Sequence, residues 1–94
     1  MRVMELLGRL PGGTLTGDGE VEVVGITHDS RRVSAGDVFA ALPGARFHGM
    51  EFLEQAVVNG AAAVLSNRGR PEGLHLPWIR SSKPRRVMAE AAWA

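Results

Sequence analysis

Ninety-four residues, 45% apolar and 22% charged, make one small globular domain with a modest core and too little chain for two. A formal net charge of +1 is not that of a strongly basic nucleic-acid binder, and the lack of cysteine excludes disulfides and thiolate zinc sites. "MRVMELLGRL" is too short and too charged for a signal peptide's apolar segment, and no apolar run approaches the ~18–20 residues of a membrane span, so a soluble cytoplasmic protein is expected.

Residues 2–10 carry Val3, Leu6, Leu7 and Leu10 at helical spacing, and "PGG" at 11–13 ends that helix. "TLTGDGE" reads as a short strand or extended segment closing in a Gly-Asp-Gly turn. The β-branched "VEVVGIT" at 21–27 reads as a strand, "DSRRVSAGD" as a loop, and the apolar "VFAAL" at 38–42 as a buried strand. After a loop at 43–49, "MEFLEQAVVNG" is the strongest helix. Phe52, Leu53, Ala56 and Val57 share its apolar face, Glu51, Glu54 and Gln55 lie largely outside it, and Asn59-Gly60 forms a left-handed cap. "AAAVLSN" at 61–67 has the length and flanks of a central strand, and "WIR" at 78–80 is a last short one. Pro84 opens a final helix with Val87, Met88, Ala91 and Ala92 on its apolar side. The order predicts an α/β fold, a small mixed β-sheet covered by helices. The last helix stops straight after Trp93 without a cap, which reads either as a frayed terminus or as a fragment of a longer chain.

Two loops carry candidate chemistry. In Asp29-Ser30-Arg31, at a strand end, the Asp29 carboxylate can bond the backbone two residues on. The Ser30 hydroxyl can then face a phosphate oxygen, with Arg31 or Arg32 supplying charge. The same residues also suit a plain loop in which Asp29 caps and the arginines are solvated or ion-paired. "GARFHG" at 44–49 leads into the strongest helix, whose unpaired N–H groups offer an anion seat beside Arg46. From the residues alone, Phe47 suits either a flat wall for a base or a core plug, the latter favoured, and His48 either a ligand contact or a structural helix-entry residue, the latter again favoured. All basic residues but Lys83 are arginine, which suits bidentate anion contacts as well as a compositional bias. No glycine-rich P-loop with its lysine is present, and His28, His48 and His75 lack metal spacing. The basic "RSSKPRR" at 80–86 leads into no reading helix, so no nucleic-acid partner is expected.

Read together, "DSRRVSAGDVFAALPGARFHGMEFLEQAVVNGAAAVL" resembles the N-terminal domain of the Mur ligases. The family pattern is close to D-S-R-x-V-x-x-G-D-x-F-x-A-x-x-G, a short loop, D/H-G, an aromatic, then x-x-A-x-x-x-G-A. The match runs over about residues 21–66, and "PRRVMAEAA" resembles the segment leading towards the ATP-binding domain. Two ligases share the motif, one adding the third residue of the peptidoglycan stem peptide and one adding D-alanyl-D-alanine; the later segment is more similar to the first.

The resemblance implies that residues 1–82 form a domain holding the UDP end of UDP-N-acetylmuramoyl-L-alanyl-D-glutamate, and that 83–94 begin the helix towards an ATP-binding domain. It assigns the UDP contacts to His28, Ser30, Ala45, Arg46 and Phe47. His28 stands where an apolar residue is common, so its backbone carries over more safely than its side chain. His48 stands where Asp is frequent. The implied reaction uses ATP and Mg²⁺ to form an acyl phosphate, which the amine of meso-diaminopimelate or L-lysine attacks. Those cofactors bind outside this segment, which would be inactive alone. A stand-alone nucleotide-binding or interaction module is the alternative of another class.

Overall fold

The computed structural model describes residues 1–9, 12–44 and 46–83. Helix α1 (Val3–Gly8) begins where the Glu5 carboxylate accepts the Arg2 N–H at 3.1 Å and the Arg2 side chain at 3.0 Å. Hydrogen bonds from the Arg2 side chain and backbone hold the Glu5 carboxyl below its usual range. Val3 and Leu6 are buried and Leu7 half-buried, as their spacing predicts, while Leu10 lies outside the described residues.

Five strands follow: β1 (Thr14–Thr16), β2 (Gly25–Thr27), β3 (Asp37–Ala41), β4 (Ala63–Ser66) and β5 (Trp78–Arg80). Their order in the sheet is β1-β5-β4-β3-β2. β2, β3, β4 and β5 run parallel, and β1 pairs antiparallel with β5. The sheet is therefore mixed, and β4 is central, as expected of 61–67. β3 reads as a continuous apolar run because both of its faces are covered.

Side chains alternate across the sheet. Val38, Ala40, Ala63, Leu65 and Ile79 join Val3, Leu6 and Val23 beneath α1. Phe39, Ala41, Val64 and Trp78 join Val33, Ala56 and Ala61 on the opposite face, against α2 (Leu53–Val58). Trp78 is 1% exposed, and its indole N–H donates to the Arg68 carbonyl at 2.7 Å, so its burial strands no polar atom.

Three expectations are corrected. The strand expected at 21–27 is reduced to Gly25–Thr27 because its first half finds another partner. Val3 N–H donates to Val21 O at 2.9 Å and Val23 N–H to Met1 O at 2.7 Å, which ties 21–23 to the N-terminus. The helix expected from Met50 starts as a 3-10 turn (Gly49–Phe52) before becoming α-helical. That tighter winding advances the phase of its residues. Phe52 is thus 43% exposed rather than core, and Val57 is 37% exposed; only Ala56 of the expected apolar face is fully buried, with Leu53 half-buried. Phe47, expected to plug the core, is 58% exposed.

The helix ends as expected. Gly60 adopts φ +105°, Gly60 N–H donates to Val57 O at 3.1 Å, and Ala61 N–H to Ala56 O at 3.0 Å. This is the Schellman pair of bonds, which a left-handed glycine permits. The helix expected from Pro84 lies outside the described residues.

Candidate functional site

β2 ends at Thr27, at the carboxyl end of a parallel strand, where open α/β sheets place their ligands. Thr27 Oγ1 accepts the Asp29 N–H at 3.1 Å, and Asp29 Oδ1 accepts the Arg31 N–H at 3.0 Å, which is the side-chain turn expected from the sequence. Arg32 N–H donates to Asp29 O at 2.9 Å, closing a 3-10 turn over Ser30–Arg32. Asn59 Nδ2, at the end of α2, donates to Ser30 O at 3.0 Å and pins this turn to the helix.

The Asp29 carboxylate also grips the Arg31 guanidinium at two points, Nε to Oδ1 at 3.1 Å and Nη2 to Oδ2 at 3.2 Å, with Arg32 Nε 3.8 Å from Oδ2. The side-chain hydrogen bond from Arg31, then its backbone N–H, holds the Asp29 carboxyl below its usual range; the same pairing raises Arg31. Capping and ion pairing by Asp29 are therefore both present. They build the loop that carries Ser30 rather than competing with a site there.

Ser30 is 6% exposed, and its hydroxyl donates to Gln55 Oε1 at 2.7 Å. His28, Asp29, Ser30 and Arg31 from the turn, with Phe52 and Gln55 from the following helical segment, line an open cavity of about 480 Å³. Such a volume falls within the usual range for small-molecule sites.

The second loop is held against β3. Gly49 N–H donates to Leu42 O at 2.7 Å, and a Cβ at Gly49 would lie 2.7 Å from Ala41 Cα. His48 Nδ1 accepts the Met50 N–H at 3.0 Å, and His48 Nε2 is 2.7 Å from Asn67 Oδ1. Because Nδ1 accepts, the ring proton sits on Nε2 and is donated to Asn67. His48 is thus structural, as its position suggested. Glu51 N–H donates to His48 O at 3.0 Å. The amides of Gly49, Met50 and Glu51 are all engaged internally, which corrects the expectation of a free anion seat at the helix start.

Of the sequence-nominated residues, His28 and Ser30 line the cavity. Phe47 meets the cavity wall through Phe52, with ring centroids 6.2 Å apart. Arg46 is exposed and not among the lining residues, and Ala45 lies outside the described residues. Phe52 and Gln55 were missed. Neither has a local signal: Gln55 contacts Ser30 across 25 positions of chain, and Phe52 looks like core at α-helical spacing.

The architecture is that of an α/β domain with an open cavity at the carboxyl end of the parallel strand β2. The chain belongs to the Mur ligase family: the model described as "Mur ligase family, catalytic domain" matches residues 22–93. It is 48% identical over 83 residues to the UDP-N-acetylmuramoyl-L-alanyl-D-glutamate--2,6-diaminopimelate ligase of Streptomyces coelicolor, covering 85% of this chain and 16% of that protein. The enzyme of the same name from Caulobacter vibrioides is 50% identical over 72 residues, 77% of this chain and 15% of that protein. Among solved structures, MurF from Acinetobacter baumannii matches with a TM-score of 0.79 at 25% identity, over 96% of this chain and 20% of that one. The chain therefore spans less than a fifth of the length of these curated relatives.

Proposed function

We propose that this chain is the UDP-anchoring part of an ATP-dependent amide ligase. Its substrate would be UDP-N-acetylmuramoyl-L-alanyl-D-glutamate, to which the whole protein adds meso-diaminopimelate or L-lysine. The observation that carries the reading is the nearly buried Ser30 of the D-S-R motif on the wall of a cavity large enough for a nucleotide. The relatives named as diaminopimelate ligases, at 48% and 50% identity, favour third-residue addition. The likeness to MurF is at 25% identity and speaks for the shared fold more than for D-alanyl-D-alanine addition.

The physical role of the segment is anchorage. Gripping the nucleotide end restricts where the distant carboxylate can lie, so that part of the entropy cost of reaction is met on binding. ATP and Mg²⁺ would activate that carboxylate in the whole ligase. Among the described residues no group of three or more His, Cys, Asp or Glu could hold a metal ion, and Lys83 sits in no glycine-rich phosphate loop. No step through ATP is assigned to these residues. Residues 83–94 would lead towards the domain that holds it.

Titration of the chain with UDP, followed by amide chemical shifts, tests the reading. Shifts are expected to cluster at residues 28–31, 44–49, Phe52 and Gln55. Saturable shifts elsewhere, or none at these positions, would refute it.

A further inference from the structure

The geometry points to Gln55 as a ligand-binding residue that works as one unit with Ser30, the orientation of its amide deciding which of the two donates to a phosphate oxygen. The inference rests on the reading of the cavity as a nucleoside-diphosphate site, and it names the donor that such a site needs.

A serine hydroxyl has one proton and two lone pairs. Here the proton is committed to Gln55 Oε1, 2.7 Å away. In that arrangement Ser30 offers a ligand only lone pairs, which a phosphate oxygen, itself an acceptor, cannot use. The donor next to Ser30 is then the amide nitrogen of Gln55, with its two N–H groups, beside the Arg31 guanidinium that also lines the cavity. Turning the amide over about its terminal torsion exchanges the roles. Nε2 then donates to Ser30 Oγ, and the hydroxyl proton is released to the ligand. Either arrangement presents a donor, and Gln55 takes part in both.

The surroundings assign the moving part. Ser30 is 6% exposed, its carbonyl is held by Asn59 Nδ2 at 3.0 Å, and its turn is closed by Asp29. Gln55 is exposed on α2, and its terminal amide torsion is the softer of the two. The other acceptor on this wall, the Asp29 carboxylate, has both oxygens engaged by Arg31. An anion entering the cavity therefore meets Gln55 and Ser30 as a pair, with the Arg31 guanidinium beside them.

The test compares UDP with uridine on the full chain, using wild type, Gln55→Glu, Gln55→Leu, Ser30→Ala and the Ser30→Ala/Gln55→Leu double variant. Gln55→Glu keeps an acceptor for the Ser30 proton, removes the amide donor and adds a negative charge. Gln55→Leu, which removes the amide donor without adding charge, should weaken UDP by about tenfold, the scale of a hydrogen bond to a charged group, with a clearly smaller change for uridine, and Gln55→Glu should weaken UDP at least as much. The losses from Ser30→Ala and Gln55→Leu should not add in the double variant. Because Gln55 is exposed and Ser30→Ala removes one oxygen atom from a turn held by its backbone, these variants keep the amide spectrum of the core, read at Phe39 and Val64. If wild type binds UDP while Gln55→Glu binds it equally well, the role of Gln55 is overturned and the cavity assignment stands. Equal loss of UDP and uridine, or additive single losses, also overturns it. If wild type shows no UDP shifts at the cavity, the site assignment falls, and this inference with it.

Discussion

Phe47 and Phe52 stand edge to face, their ring centroids 6.2 Å apart and their planes at 72°, and both rings reach solvent. Phe52 also lines the cavity, so the second loop meets the site through an aromatic pair rather than through Arg46. Such a pair contributes about 0.5–1.5 kcal/mol beyond the area it buries. Phe52→Ala should therefore cost about 1–2 kcal/mol in urea unfolding, below the ~3–5 kcal/mol of a fully buried phenylalanine. Phe39→Ala, at a position with no exposure, should show the full cost. Equal costs for the two variants would contradict the exposed placement of Phe52. Under the proposed function, Phe52→Ala also weakens UDP, because one wall is gone.

Ser30→Ala separates binding from folding. The lost hydroxyl leaves Gln55 Oε1 without its partner, but Gln55 is exposed and turns to water. The stability change should stay below about 1 kcal/mol, while UDP binding weakens by about 1 kcal/mol, the scale of one hydrogen bond. Calorimetric titration alongside thermal unfolding reads both. Unchanged binding would remove Ser30 from the site.

Gly49→Ala tests how the second loop is seated. A Cβ there would lie 2.6 Å from Leu42 N, 2.7 Å from Ala41 Cα and 2.9 Å from Ala41 C. These are backbone atoms of β3 and its end, so no side-chain rotation relieves the clash. The cost should be about 1–3 kcal/mol, as for other overpacked positions. The His48–Asn67 contact should loosen with it, read as a shift of the His48 ring signals. A variant as stable as wild type would mean that the loop is not pressed against β3.

Much of the fold was legible because its signals are local. The apolar runs at 38–42 and 61–67 have the length and turn-bounded flanks of covered strands, and Gly60 after Asn59 could end a helix in a left-handed turn. Asp29 two residues before Arg31 announced its own turn. The misses share a cause, which is competition between distant partners. Nothing in "VEVV" says that Val21 and Val23 pair with Met1 and Val3, and nothing near Phe52 says that the helix opens as a 3-10 turn. The cavity was half legible for the same reason. Ser30 sits in a recognisable motif, whereas Gln55 becomes part of the wall only once α2 packs beside the turn.

The Asp29 carboxyl gives the fold a pH dependence whose sign follows from its pairing. Hydrogen bonds from Arg31 depress its ionisation below the usual value of about 3.9. A depressed carboxylate stabilises the folded state above its unfolded pKa, and that contribution is lost as pH falls through the folded pKa. Glu5, depressed by Arg2, acts in the same direction. The turn at Ser30–Arg32 should thus stay ordered through pH 4 and loosen below it, read as loss of the Arg31 amide shift in an acid titration. Arg31→Ala should move the Asp29 midpoint back up, and added salt should do the same in part, since Arg31 is open to solvent and Asp29 partly so. An Asp29 midpoint unchanged by Arg31→Ala would show that the guanidinium does not hold the carboxylate, and the turn would then need another support.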